Sequence, residues 1–224
     1  MIDSAELALS NQACLSRPTI WRSVQLGCKR TFDLIGALAL ILLLSPVLLV
    51  AVVSVRLSSP GPVLFRQRRW GWKDRQFVCW KFRTMYVDQD NLIDPATLRR
   101  LQAKGALLKL KNDPRVTRIG GLLRRSSVDE LPQLFHVVTG DMSLVGPRPL
   151  MPHMLEPYPE LRKSRCQMRP GMTGLWQISA REDNDSALQM APYDLAYIRS
   201  FSFWTDLKIV LRTPAVVILG KGAY

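Results

Sequence analysis

Residues 124–134 read Arg-Arg-Ser-Ser-Val-Asp-Glu-Leu-Pro-Gln-Leu, with two adjacent carboxylates, Asp129 and Glu130, in a basic setting. Arg115, Arg118, Arg124 and Arg125 lie close by in sequence, and Lys81, Arg83 and Arg148 supply further cations. Such a mixture suits attack by an anionic nucleophile on an anionic pyrophosphate. Like charges repel there, so a divalent metal and cations aimed at the phosphate oxygens must lower the barrier. One carboxylate can attack phosphorus and form an acyl phosphate, while its neighbour holds Mg²⁺, or Mn²⁺ in its place. Arginine suits two-pronged phosphate binding, and lysine acts as a point charge. In Gly146-Pro147-Arg148-Pro149 the prolines would hold Arg148 on a stiff backbone. The same dyad has a structural reading. Ser127-Val128-Asp129-Glu130 matches a helix capping box, and acidic residues in a first turn offset the helix dipole.

The chain of 224 residues carries 31 Lys and Arg against 18 Asp and Glu, a net charge of +13. That excess implies an anionic partner: nucleic acid, an anionic lipid surface or phosphorylated substrates. Cys14, Cys28, Cys79 and Cys166 are scattered without a Cys-x-x-Cys and read as free thiols. His136 and His153 have no partners at metal-ligand spacing.

From Leu34 to Val55 no charged residue occurs. The run is long enough to span a bilayer, and one spanning helix is the simple reading. Two features favour a re-entrant hairpin. Lys29 and Arg30 precede the run, and Arg56, Arg66, Arg68 and Arg69 follow it, so both flanks carry the charge of a cytoplasmic segment. Ser45-Pro46 falls in the middle. Proline removes a backbone hydrogen bond and bends the helix, and serine can satisfy the freed carbonyl.

These features divide the chain into an N-terminal arm (1–28), a re-entrant membrane hairpin (29–57) and a catalytic domain (58–224) with interfacial C-terminal helices. The domain should open with a β-hairpin, Val63 to Arg69 and Gln76 to Met85, around a turn at Gly71 to Asp74. Period two puts Lys81 and Arg83 on one face and the stripe Val78, Trp80 and Phe82 on the other. Residues 88–110 read as helical. Ile119 to Arg125 is a short basic amphipathic stretch. Val128 to Val138 is a helix with Leu131, Leu134, Phe135 and Val138 inward, stopped by Gly140. The tail from Tyr193 to Leu219 is helical and broken by Pro214. Its Phe201, Phe203 and Trp204 beside Arg199, Lys208 and Arg212 suit a membrane interface, or a packed helix with solvated charges.

Five motifs, in order, resemble the bacterial sugar transferases: Lys81-Phe82-Arg83-Thr84-Met85, Asp113-Pro114-Arg115-Val116-Thr117, Asp129-Glu130-Leu131-Pro132-Gln133-Leu134, Gly140 through Pro149, and Arg169 through Gln177. These are monotopic phosphoglycosyl transferases that begin surface glycan assembly. The likeness runs from about Lys29 onward and is nearest to the small members that start exopolysaccharides. It implies an α/β, mainly helical, monotopic membrane protein. It further implies Asp129 as nucleophile, Glu130 as the magnesium ligand, Lys81, Arg124 and Arg148 on phosphate, and the helix break at Ser45-Pro46. Arg83, beside Lys81 on the strand, is a further candidate for phosphate. His136 stands where asparagine is more usual, and Ala180 where glycine often follows.

The resulting expectation is transfer of a hexose 1-phosphate from a UDP-sugar to undecaprenyl phosphate, with release of UMP, on the cytoplasmic face of the inner membrane. Its partners are the donor, the acceptor and inner-membrane lipids, without nucleic acid; a homodimer stays open. The rivals are a membrane-anchored basic binding protein without catalysis and a glycosyl transferase that releases UDP.

Overall fold

The structure is a computed structural model and describes residues 20–87, 113–180 and 186–218. Helix α1 (Ile20–Leu43) starts upstream of Lys29, where the charge pattern places the start of the hairpin. It meets α2 (Ser45–Ser58) at a bend of 63°. Pro46 has no N–H to offer the Leu42 carbonyl, and Ser45 Oγ donates to that oxygen at 2.8 Å instead. Among the described residues no single helix is long and apolar enough to cross a membrane. The tip of the bent pair is apolar and uncovered: Leu42, Leu43, Leu49 and Val50 are 65–78% exposed.

Both feet of the pair stand on the same body. At the base of α1, Lys29 Nζ pairs with Asp206 Oδ2 at 2.6 Å, and both residues are buried. Arg30 donates to the carbonyls of Val137 and Val138 at 2.6 and 2.9 Å, and Asp33 accepts from the Leu144 N–H. At the far end of α2, Arg83 donates to the carbonyls of Ser59 (2.7 Å) and Pro60.

Strands β1 (Leu64–Trp70) and β2 (Gln76–Phe82) form the expected antiparallel hairpin, pairing Leu64 with Phe82 and Arg69 with Phe77. Its turn needs left-handed Lys73 and Asp74, with φ of 56° and 58°. The apolar stripe differs from expectation. Val78 is 44% exposed, while Cys79 is buried and Phe77 packs on the core, both on the face of Lys81. Along most of β2 the covered face is the one that carries Phe77, Cys79 and Lys81, while at its end Phe82 is buried on the opposite face. Phe82 packs with Ala51, Val55 and Leu123, tying β2 to α2 and α3.

Helix α3 (Arg118–Arg125) begins at Thr117, whose Oγ1 accepts from the Gly120 N–H at 2.8 Å. The expected helix from Val128 to Val138 is split into a 3₁₀ turn, Val128–Glu130, and α4 (Gln133–Thr139). Of the side chains expected inward, Leu131 and Val138 pack on the core. Leu134, His136 and Val137 are buried, and Phe135 is 43% exposed. Gly140, at φ 94°, ends α4 as its residue type allows. The helix expected over 88–110 lies outside the described residues.

Strand β3 (Ser143–Val145) pairs in parallel with β4 (Gly171–Thr173). Helices α5 (Pro152–Leu155) and α6 (Pro159–Arg165) lie between them, and α7 (Leu175–Ser179), α8 (Ala187–Arg199) and α9 (Phe203–Ile218) follow. The tail breaks at residues 200–202, between α8 and α9, and Pro214 lies inside α9. A local cap explains the position, because Ser202 Oγ accepts from the Thr205 N–H at 3.1 Å and starts the new helix. The main core joins α4, β3 and the C-terminal helices through Leu134, Val137, Met142, Trp176 and Ile198. The architecture is thus mainly helical, with two small sheets and a bent helix pair.

Candidate active site

The capping box does not form at the dyad. Ser127 takes a left-handed conformation, φ 55° and ψ 15°, and makes no side-chain cap bond. A non-glycine residue pays roughly 1–2 kcal/mol for that conformation. The turn it sets up points Glu130 away from the helix start and toward cations. Glu130 Oε1 meets Lys81 Nζ at 2.6 Å and Arg148 Nη2 at 3.2 Å. Strand β2, the 3₁₀ turn and the loop after β3 therefore each bring one charged residue to a single place.

Asp129 is 9% exposed. Burial is the largest influence on its carboxyl and raises its pKa to about 6, with Glu130 adding to the rise while Lys81, Arg124 and Arg148 oppose it. The carboxylate is thus largely stripped of water, a setting that would favour it as an attacking oxygen. Arg124 is fixed by a bond from its Nε to Thr84 Oγ1 at 2.9 Å and lies in the field of Asp129.

Arg83 is not brought to this cluster. It is 6% exposed, and its guanidinium is committed to the main-chain carbonyls of Ser59 and Pro60. It holds the end of α2 to β2 rather than phosphate. Although the strand pattern places it beside Lys81, its side chain turns back to the segment that follows α2. Arg115 forms a two-pronged pair with Asp113, closest approach 2.9 Å, and Arg118 and Arg125 are exposed. Ser45 and Pro46 sit at the helix bend, remote in sequence from the dyad.

The Arg148 loop is held by close backbone contact. The Gly146 N–H donates to the Thr173 carbonyl and the Gly171 N–H to the Pro147 carbonyl, both at 2.9 Å. A Cβ on Gly171 would lie 2.0 Å from Gly146 N, and one on Gly146 would lie 2.4 Å from the Arg169 carbonyl. The glycines of the two loop motifs are therefore needed where the strands touch.

Three supporting residues were not legible as such. Arg69 is buried and donates to the Pro149 carbonyl at 3.1 Å, although its sequence position marks it as a membrane-flanking charge. Arg30 caps the C-terminal end of α4, where a cation offsets the helix dipole. His136 accepts the Trp80 N–H through Nε2 at 3.2 Å, fixing the strand beside Lys81, and its Nδ1 lies 3.5 Å from Asp141. Its departure from asparagine is the one sequence signal that singles it out.

Among the described residues no group of three or more His, Cys, Asp or Glu could hold a metal ion. The two dyad carboxylates still fit magnesium, which commonly takes one or two carboxylates and completes its shell with water and substrate phosphate. Glu130 would share its carboxylate between such an ion, Lys81 and Arg148.

A model of the bacterial sugar transferase family matches residues 24–220. The exopolysaccharide production protein ExoY of Rhizobium meliloti (strain 1021) is 41% identical over 202 residues, 88% of each chain. The UDP-galactose-lipid carrier transferase of Erwinia amylovora is 42% identical over 200 residues, 88% of this chain and 41% of its own. The UDP-glucose:undecaprenyl-phosphate glucose-1-phosphate transferase of Escherichia coli (strain K12) is 42% identical over 204 residues, again 41% of its own length. The chain thus spans about two-fifths of these two longer relatives and most of the ExoY protein. With the matched region covering the helix pair, the hairpin, the dyad and the Arg148 loop, the chain belongs to the bacterial sugar transferase family.

Proposed function

We propose that this protein moves a hexose 1-phosphate from a UDP-sugar to undecaprenyl phosphate and releases UMP, the first membrane step in making an exopolysaccharide or related surface glycan. The observation that carries this reading is the buried Asp129 carboxylate beside a Glu130 held by Lys81 and Arg148. An Asp129 oxygen attacks the β-phosphorus of the donor. The bond from that phosphorus to the bridging oxygen breaks, UMP leaves, and a sugar-phosphoryl aspartate remains. An oxygen of undecaprenyl phosphate then attacks the same phosphorus and frees Asp129. Lys81, Arg124 and Arg148 oppose the charge that builds on the phosphoryl oxygens. Magnesium, when bound at Glu130 and the donor diphosphate, supplies charge neutralisation.

The lipid acceptor sets where this must happen. Both feet of the bent pair dock on the catalytic body, so a straight crossing would tear one foot away. The pair enters one leaflet with its apolar tip and returns to the cytoplasmic face. Phe203 packs edge-on against Phe32 at 5.4 Å, which brings the start of α9 to the same level. Trp204 and Leu211, 69% and 70% exposed, then lie at the membrane surface. The dyad sits at headgroup depth, where the lipid phosphate lies, and the lipid need not leave the bilayer.

The test is turnover of a panel of UDP-sugars with undecaprenyl phosphate and magnesium in detergent or vesicles. UMP is the expected nucleotide. UDP as the only product identifies a glycosyl transferase, and no turnover with any donor leaves a binding protein.

A further inference from the structure

In Gly146-Pro147-Arg148-Pro149-Leu150 the prolines have no N–H, so Arg148 carries the sole main-chain donor between Gly146 and Leu150. Two buried side chains far along the sequence are directed at that residue. Arg165, at the end of α6, and Asp194, within α8, form an ion pair at 2.8 Å, with side chains 3% and 1% exposed. Arg165 Nη2 donates to the Arg148 carbonyl at 2.7 Å, and the Arg148 N–H donates to the Asp194 carboxylate. Both main-chain polar groups of Arg148 are therefore fixed from behind. Its guanidinium meanwhile reaches forward to Glu130 at 3.2 Å.

We infer that Arg165 and Asp194 are positioning residues for Arg148, holding its main chain so that its guanidinium meets Glu130 and the transferring phosphate. This rests on the phosphoglycosyl transfer proposed above. An internal ion pair repays its desolvation only with good geometry and added hydrogen bonds. Here those bonds go to one residue of the site. A pair that merely joined α6 to α8 could take those bonds from any neighbouring backbone, whereas here both go to Arg148.

The test removes both charges together. Arg165→Met/Asp194→Leu leaves no unpaired buried ion, and such replacements are commonly neutral for stability. The double variant is expected to stay folded, melting somewhat lower because both main-chain groups of Arg148 lose their partners, yet to lose kcat on the order of 10²-fold, the effect of a misplacement of about 1 Å. The KM for the UDP-sugar should change much less. In an Arg148→Ala background the same double change should lower turnover hardly further, because the residue it positions is gone. Equal fold losses in both backgrounds, or near-normal turnover in the folded double variant, would overturn the inference. Should the double variant not fold, Arg165→Lys keeps the charge opposite Asp194 but not the planar fork. A loss of about tenfold in kcat at unchanged melting temperature is expected there, and full turnover counts against the inference. Hydrogen exchange supplies a readout independent of activity. The Arg148 amide should be protected in the unaltered protein and exposed in the double variant, which lacks its Asp194 acceptor. If it stays protected, the clamp is not what holds it. An unaltered protein that releases no UMP refutes the transfer reading alone.

Discussion

Straightening the helix pair weighs the bend against the docking of α1. Helix α2 has 14 residues, roughly 21 Å at ~1.5 Å per residue, too short for a ~30 Å hydrocarbon core. Replacing Ser45 and Pro46 with Ala and Leu removes a proline effect of about 3 kcal/mol, the lost backbone hydrogen bond included. A straight helix that crosses must carry the foot of α1 away from the catalytic body. That breaks the buried Lys29–Asp206 pair, 7% and 2% exposed, at a cost of about 3–5 kcal/mol. It also releases the two Arg30 bonds, charged donors worth about 1.5–3 kcal/mol each. Roughly 6–11 kcal/mol then opposes about 3, so Ser45→Ala/Pro46→Leu alone should leave both feet in the cytoplasm. Adding Lys29→Ala and Arg30→Ala removes the docking and the flanking charge together, and the quadruple variant should span in part.

Labelling reads the outcome. Cys28 is exposed at the α1 foot, whereas Cys79 and Cys166 are buried, and burial pushes the Cys166 thiol up to about 11. With Cys14 replaced by Ser, a membrane-impermeant thiol reagent in intact cells reports on Cys28. The unaltered protein and the Ser45/Pro46 variant should stay unlabelled until the membrane is permeabilised, and the quadruple variant should label. Periplasmic labelling of unaltered Cys28 would refute the re-entrant topology. Equal labelling of the Ser45/Pro46 and quadruple variants would refute the docking energies.

Asp129→Asn should lose on the order of 10⁴–10⁶ in rate, as expected for a covalent nucleophile; incubating unaltered enzyme with donor alone should add a sugar phosphate to the Asp129 peptide, and near-normal turnover of the variant would end the covalent mechanism. Lys81→Met should cut kcat by about 10²–10³, the scale for one electrostatic donor. Its pair with Glu130 is mostly buried, but Glu130 keeps Arg148 as a partner, so stability should fall by only about 1–2 kcal/mol, several degrees of melting temperature; a much larger melting shift would make the role structural. Burial lowers the His136 pKa, with Asp141 opposing, so the native state binds fewer protons there than the unfolded chain. That stabilisation is complete above the unfolded value of about 6.5 and lost as pH falls through the folded one. Between pH 7.5 and 5.5 the unaltered protein should therefore lose more melting temperature than His136→Asn, and equal losses would remove His136 from the account.

The parts of this molecule legible in its sequence are those fixed by covalent facts or by residue type. Pro46 lacks an N–H wherever it sits, and the bend with its Ser45 bond to Leu42 follows. Phosphoryl chemistry needs carboxylates among cations, and Asp129, Glu130, Lys81, Arg124 and Arg148 do converge. What misled was using one residue type for two tasks. A guanidinium that suits phosphate oxygens suits main-chain carbonyls equally well, since both are acceptors and it has five donors. Arg83 binds carbonyls about two dozen positions away, and Arg30 caps a helix 107 positions on; neither partner can be read from neighbouring sequence. The same fact bears on the net charge of +13. Lys29, Arg30, Arg69, Arg83 and Arg165 all point inward to carboxylates or carbonyls, so the total charge overstates the surface available to an anionic partner. In the proposed reaction, recognition of the donor diphosphate then falls to the few cations gathered at the dyad. Losing one of those should therefore be felt in turnover well before it is felt in the fold.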